Sequence, residues 1–189
     1  MGAATAAVAA ACSSSSTPTT FDLTAPRQRA GGGGAIGGQI VVAEPVAVQV
    51  LEAERIIVKD ANGAVSFLGG AQWADRLPRL VQARLIQTFE NASRIRAVSR
   101  PGDRIVADYQ LNTDIRAFQI DAATGHAVVE ISARLVNDRS GRIALARVFT
   151  GRVPVATIDP GNAAQALDRA LSIVLLNIVR WVSAGDPSG

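Results

Sequence analysis

The chain has 189 residues, 48% of them apolar, which is enough for one sizeable core in a single domain with a tail. Its 19 basic residues include one lysine, Lys59, an arginine bias that reads as genomic base composition, and the formal net charge is only +3. The arginines are scattered and the aromatics few, so no nucleic-acid partner is expected. One cysteine, Cys12, and one histidine, His126, exclude an internal disulfide and a Cys/His zinc site, and a Cys12 in the tail excludes a Cys–His nucleophile pair.

Residues 1–11 are small and apolar, Cys12 follows, and a polar run continues to Thr20. A short apolar segment ending at a cysteine resembles the end of a bacterial lipoprotein signal. Ala9, Ala10 and Ala11 before Cys12 stand in the lipobox, with Ala9 where leucine is usual. No Lys or Arg precedes Arg27, so the charged n-region of a secretory signal is expected upstream of Met1. The bland alternative is an alanine-rich terminus with an inert thiol. Ser13 beside the cysteine, rather than aspartate, resembles lipoproteins sorted to the outer membrane of Gram-negative bacteria. No stretch is apolar and long enough to span a bilayer, so acyl chains on Cys12 are the expected anchor, stable when more than one is attached. The expected organisation is a signal remnant over 1–11, a lipidated cysteine and flexible tether over 12–38, a folded domain over 39–184 and a disordered tail over 185–189.

Residues 20–26 alternate and suggest an edge strand ending at Pro26. The glycines at 31–34, 37 and 38 lack the Lys-Ser/Thr of a phosphate loop and read as a connector. Residues 39–43 suggest a strand stopped by Pro45, and 46–54 fit either a strand or a loop. The β-rich runs 55–59 and 65–68 flank Asn62-Gly63, a hairpin signal.

Residues 69–78 lead into the most clearly marked helix, expected to run to Asn91. Leu77, Leu80, Val81, Ile86 and Phe89 give one apolar face, while Arg76, Arg79, Gln82, Arg84, Gln87 and Glu90 give a polar one. Pro78 fits a first turn, and Asp75 can cap the first amides. A short strand is expected over 95–98 and a turn over 100–103.

From Ile105 the alternation is unusually long: 107, 109, 111, 113 and 115 form one face, and then the apolar phase shifts to Phe118 and Ile120. A one-residue slip reverses every side chain, so a bulge near Arg116 and Ala117 is expected. After a turn at Thr124-Gly125, residues 127, 129, 131, 133 and 135 form a core face. A turn over 138–141 leads to a strand over 143–153, completing an antiparallel meander with one wet face. Residues 159–162 begin a last helix, through Ser183, with Leu167, Leu171, Val174, Leu175, Ile178 and Val182 as its buried stripe. The expected class is α+β: a two-layer sandwich of a mostly antiparallel sheet with two amphipathic helices packed on it.

Asp108, Asn112, Asp114 and Arg116, with Glu130 and Arg134 on the next strand, form the densest polar group. Paired carboxylates can do acid–base work when burial separates their pKa values. A solvated sheet face with cross-strand ion pairs is the plainer reading and the one preferred here. His126 lies beside a turn glycine without a second ligand, and no hydrolase, metalloprotease or phosphate-loop motif occurs. No catalytic residue, metal or cofactor is expected. Trp73 invites two readings: a staple folded against the helix, or an aromatic anchor presented to a partner from a loop with Gly69, Gly70, Gln72 and Asp75. For Trp181 a core or rim position is expected.

Several stretches together resemble the ABC-type transport auxiliary lipoprotein family, the PqiC-like partners of mammalian-cell-entry (MCE) transport systems. They are residues 21–26 (FDLTAP), Trp73 with Asp75, Leu77, Pro78, Val81, Gln82 and Leu85, residues 107–111 and 114–118, and the alanine-rich last helix. What the resemblance implies is a periplasmic lipoprotein at the outer membrane of a Gram-negative bacterium. It would be held through acylated Cys12 and would serve transport of a lipid or hydrophobic solute. Its partners would be an MCE-domain substrate-binding protein with its permease and ATPase, ATP being bound by the partner, and phospholipid is a further candidate. The contact surface expected includes residues 69–73 and exposed sheet edges. Two other classes stay open: a lipid carrier in its own right, with Ala163, Ala166 and Ala170 leaving space between helix and sheet, and an envelope scaffold or activator of a cell-wall enzyme.

Overall fold

The computed structural model describes residues 17–27, 38–92 and 98–185. In chain order these form strands β1 (Thr19–Phe21), β2 (Ile40–Val42), β3 (Val46–Ala47), β4 (Arg55–Lys59) and β5 (Val65–Trp73), then helix α1 (Leu77–Ala92). Strands β6 (Val98–Ser99), β7 (Tyr109–Asp121), β8 (His126–Asn137) and β9 (Ile143–Pro154) follow, and helix α2 (Pro160–Ala184) closes the fold. The signal remnant, Cys12, the glycines at 31–34 and 37, residues 95–97 and the last four residues fall outside the described residues.

The three longest strands, β7, β8 and β9, are the expected antiparallel meander. Tyr109, Leu111, Thr113 and Ile115 are buried on one face of β7; the register then slips between Ile115 and Ala117, and Phe118 and Ile120 take over the same face. Arg116 is the extra residue, pushed outward, so the phase shift in the sequence is a bulge. On β8 the inward row Ala127, Val129, Ile131, Ala133 and Leu135 is wholly buried.

The other edge of β7 is shared. β2, β3 and β4 lie end to end along it, pairing in parallel with Tyr109, Asp114 and Gln119 onward respectively. Pro45 and a single 3-10 turn, Gln49–Leu51, break the segment into these short pieces. Beyond β4 come β5, antiparallel, and β1, parallel. The sheet is therefore mixed, although the three antiparallel ladders hold most of the paired residues. At the β4–β5 hairpin, Gly63 adopts φ +84°, and the Asp60 carboxylate accepts the amides of Asn62 and Ala64 at 2.9 and 2.7 Å.

Two expectations need correction. The strand after the Pro101 turn begins at Tyr109, not Ile105; Ile105 and Val106 are 38% and 80% exposed. Arg104 turns the chain through φ +54°, and the amides of Asp108 and Tyr109 both donate to the Gln39 carbonyl, so pairing starts only there. Residues 69–73 are the end of strand β5 rather than a loop. Trp73 N–H donates to the Glu54 carbonyl at 2.7 Å, and β1 pairs along Ala71, Gln72 and Trp73.

Both helices cover the same face of the sheet. In α1, Leu77, Leu80, Val81, Leu85, Ile86 and Phe89 point inward, and buried Gln82 donates to the Val42 carbonyl at 3.0 Å. In α2, Asp159 caps the first turn by accepting the Asn162 amide at 2.9 Å, with Pro160 at the first helical position. Ala163, Ala166 and Ala170 are buried against the sheet. A Cβ on Gly151 of β9 would overlap the Ala170 carbonyl oxygen, so small residues here bring helix and strand into close contact. Gly185, assigned to the tail by position, closes the helix by donating to the Trp181 carbonyl at 3.0 Å.

Candidate functional site

Residues 21–26 cross the helix layer as a strap. Phe21 ends β1, and its carbonyl accepts the Ala74 amide at 2.8 Å. Leu23 is 1% exposed and belongs to the core. On the α1 side, Asp22 accepts from Arg84 Nη2 at 2.6 Å, and Asn91 Nδ2 donates to the Pro26 carbonyl at 3.1 Å. On the α2 side, Asp168 accepts both the amide and the hydroxyl of Thr24, each at 2.7 Å. One apolar plug and polar clamps to two helices thus fix the segment through which the N-terminal tail joins the domain. An open cavity of about 700 Å³ lies beside it, lined by Arg27, Arg84, Gln87, Glu90 and Asn91 among others.

The strap shows that the domain starts before residue 39. The tether expected over 12–38 included residues 20–26, read as an edge strand; β1 takes up Thr19–Phe21, and Leu23 and the clamps place the residues after it inside the fold. No local signal in the sequence couples Thr24 to Asp168 or Asp22 to Arg84. Arg84 and Asp168 read as ordinary polar positions on their helices.

The residues singled out for partner contact separate into two groups. Gly69 and Gly70 are exposed on β5, whose outer edge, among the described residues, is paired with β1 from Ala71 to Trp73. Gln72 is half-buried and donates from Nε2 to Thr20 Oγ1 at 3.1 Å, holding β1 in place. Asp75 accepts the Arg76 amide at 2.7 Å and lines a shallow cavity with Glu44, Arg79 and Arg100, although the helical amides from Leu77 onward are not among its partners. Trp73 is not presented to solvent. It is 1% exposed, with its ring 5.8 Å from Phe118 in an edge-to-face arrangement. Alternation in β5 decides this: Ala71 and Trp73 share the inward face.

The polar face follows the solvated reading. Arg116 Nε lies 3.4 Å from Glu130 Oε1 across the β7–β8 ladder, with both side chains substantially exposed. Asp108 is drawn off to the end of the sheet, where it accepts the Gln39 amide at 2.9 Å and faces Arg139 at 3.5 Å. His126 begins β8, its Nδ1 2.6 Å from the Thr124 carbonyl. Among the described residues two carboxyls are moved clearly from their ordinary range, both downward and both in turns. Asp159 is held down chiefly by the Asn162 amide, and Asp121 chiefly by the Thr124 amide. Among the described residues no cluster of His, Cys, Asp or Glu is arranged to hold a metal ion.

The sequence matches the ABC-type transport auxiliary lipoprotein component over residues 21–179, from the first residue of the strap almost to the end of α2. The chain belongs to this family. The family's role is auxiliary to an ABC transport system; it is not a known enzyme family, and a lipoprotein of such a system belongs to the cell envelope. Among the described residues no helix is long and apolar enough to cross a membrane.

A relative from Bradyrhizobium diazoefficiens, the uncharacterized protein bll6063, is 36% identical over 166 residues. These cover 85% of this chain and 44% of that protein, so the chain spans less than half the length of that relative. The auxiliary-lipoprotein fold is also seen in the crystal structure of protein XCC0632 from Xanthomonas campestris. That structure has a TM-score of 0.82 and 28% identity, and the match covers 87% of this chain and 94% of that one. A second solved structure, of an uncharacterized protein, shares the fold at a TM-score of 0.69 and 14% identity, over 88% and 99% of the two chains.

Proposed function

We propose that this auxiliary lipoprotein is a periplasmic accessory component of an ABC-type MCE system that moves a lipid or another hydrophobic solute. It acts by docking to the MCE substrate-binding protein, which works with a permease and an ATPase that binds the nucleotide. The observation that carries this reading is the family match over residues 21–179, which includes the strap.

Residues 1–11 are read as a signal remnant and Cys12 as the acylated anchor at the periplasmic face of the outer membrane. Thr19 lies seven positions after Cys12, a reach of at most about 25 Å at ~3.5 Å per residue. The β1 edge would therefore stay near the bilayer. A pull on the tether would meet the clamps of Asp22, Thr24 and Pro26 and be shared between α1 and α2. The exposed edge at residues 65–70, with Gly69 and Gly70 and flanked by Gln72 and Asp75, is one proposed contact for the partner, with Trp73 supporting it from the core. Close packing of Gly151 on Ala170 favours docking over carriage of lipid between helix and sheet, and phospholipid is read as cargo of the system.

The test is capture of the tagged full-length protein from crosslinked native envelopes, with proteins and lipids both identified. An MCE-domain protein is the expected partner. Stoichiometric lipid alone would replace docking with a carrier role, and cell-wall enzymes alone would replace it with a scaffold role.

A further inference from the structure

The sheet has a second exposed edge, at the opposite end from β1. β9 pairs with β8 alone among the described residues, and along its 12 residues the outward amides and carbonyls form an unpaired edge. Five strand spacings of ~4.8 Å separate β9 from β1 along the sheet, so the free edge stands as far from the tethered edge as the sheet allows.

Beside this edge, between β9 and the last turns of α2, runs a groove of about 480 Å³. Phe149 and Trp181 form its floor, with ring centroids 5.4 Å apart and planes at 67°. Two arginines stand over it. The Arg147 guanidinium lies 5.4 Å above the Phe149 ring, and Arg180 Nη1 reaches Asn177 Oδ1 at 3.4 Å. No carboxylate lines the groove, and neither arginine forms a salt bridge among the described residues. Elsewhere Arg76 pairs with Glu44 and Arg84 with Asp22, whereas Arg55, 5.1 Å over the Phe67 ring, forms no salt bridge among the described residues.

We propose that β9 and this groove receive an extended acidic segment of a partner protein, added to the sheet as one more strand. Main-chain hydrogen bonds along β9 would supply affinity that does not depend on sequence. Alternate side chains of an added strand point to the α2 side at a repeat of about 6.8 Å. Carboxylates in that row would meet Arg147 and Arg180, and apolar stems would lie on Phe149 and Trp181. The charge of the groove selects an acidic strand over a neutral or basic one. The site deepens the docking role proposed above and rests on it.

The purified full-length protein, 15N-labelled, is titrated with a ten-residue peptide of alternating valine and glutamate and with its valine–lysine counterpart. The glutamate peptide is expected to shift and protect the amides of residues 145–150 and to bind at least tenfold more tightly than the lysine peptide. Both arginines are exposed, so the R147E/R180E variant keeps its fold, and the preference is expected to reverse in it. Absence of binding at millimolar peptide, equal binding of the two peptides, or shifts elsewhere on the sheet would each overturn the proposal. So would concentration-dependent pairing of β9 with a second copy in the peptide-free sample. Arginine-dependent binding to phosphatidylglycerol vesicles without binding of the peptide would assign the groove to the membrane and overturn it too. The peptide assay needs no transport system, so its failure leaves the capture experiment to judge docking independently.

Discussion

Thr24 and Asp168 lie 144 positions apart and meet through two hydrogen bonds, the Thr24 amide and hydroxyl each 2.7 Å from the carboxylate. This pair closes the strap over α2, as Asp22 and Arg84 close it over α1. Asp168→Ala leaves the Thr24 amide and hydroxyl to water and should cost about 1 kcal/mol at this exposed position. Its distinctive effect is local: amides 22–25 should exchange faster and a protease should cut near Thr24 while the sheet stays protected. Thr24→Val, which keeps the amide bond, should show a smaller change of the same kind. Hydrogen exchange measured by mass spectrometry checks both.

At Gly151 sheet and helix approach closely. Its missing side chain leaves room for the Ala170 carbonyl, a backbone group that cannot move alone. Gly151→Ala should therefore push α2 off β9 and lower stability by about 1–3 kcal/mol, the range for overpacking a core. Urea denaturation reads the loss. An unchanged midpoint would mean that the helix sits further from the sheet than described.

Trp73 belongs to the core, and its substitution should report on folding. Trp73→Ala should cost about 3–5 kcal/mol, as for other large buried aromatics. Trp73→Phe should cost less, because it keeps a ring against Phe118 and removes a buried indole N–H that has no partner among the described residues. Thermal melts of the two variants give the order. Capture of a partner by a folded Trp73→Phe protein should match wild type.

Much of the fold is legible in the sequence because its signals are local. The 3.6 period of α1, the two-residue period of β7 and β8, the phase shift repaired at Arg116 and the Asn62-Gly63 turn all act over a few residues. The parallel pairs are not legible: nothing near Ile40, Val46 or Ile57 says that all three lie along one edge of β7. Alternation also overran at Ile105, where polarity continues the pattern but, among the described residues, no neighbouring strand pairs with it. Trp73 and the glycines before it read as a loop because Gly69-Gly70 is a turn signal just before a helix start, whereas β5 runs through both glycines to Trp73. The strap clamps and the Arg147–Arg180 groove are long-range, joining β1 and β9 to the helices, and a linear pattern carries no trace of them.

Asp159 and Asp121 give a pH dependence of defined sign. Hydrogen bonds from Asn162 and Thr124 hold the two carboxyls below their ordinary range in the folded protein. A depressed folded pKa stabilises at pH above the unfolded value and is lost as pH falls through the folded one. Stability should therefore decline on acidification below about pH 4, the ordinary aspartate value. Asp159→Asn keeps a good helix cap without the charge, so the D121N/D159N protein should lose less stability between pH 5 and pH 2.5. Parallel urea curves across that interval make the comparison, and equal losses would remove these two groups from the account.

The most direct test of the transport role is site-specific photocrosslinking in living cells of the native host. A photoreactive residue is placed at Gly69 on the β1–β5 side, at Val148 on the β9 edge, and at Asp60 in the β4–β5 turn as a control. Crosslinks from Gly69 or Val148 to an MCE-domain protein, absent at Asp60, are the predicted result. Crosslinks from these positions only to cell-wall enzymes, or equally from all three to unrelated envelope proteins, would contradict docking to a transport system.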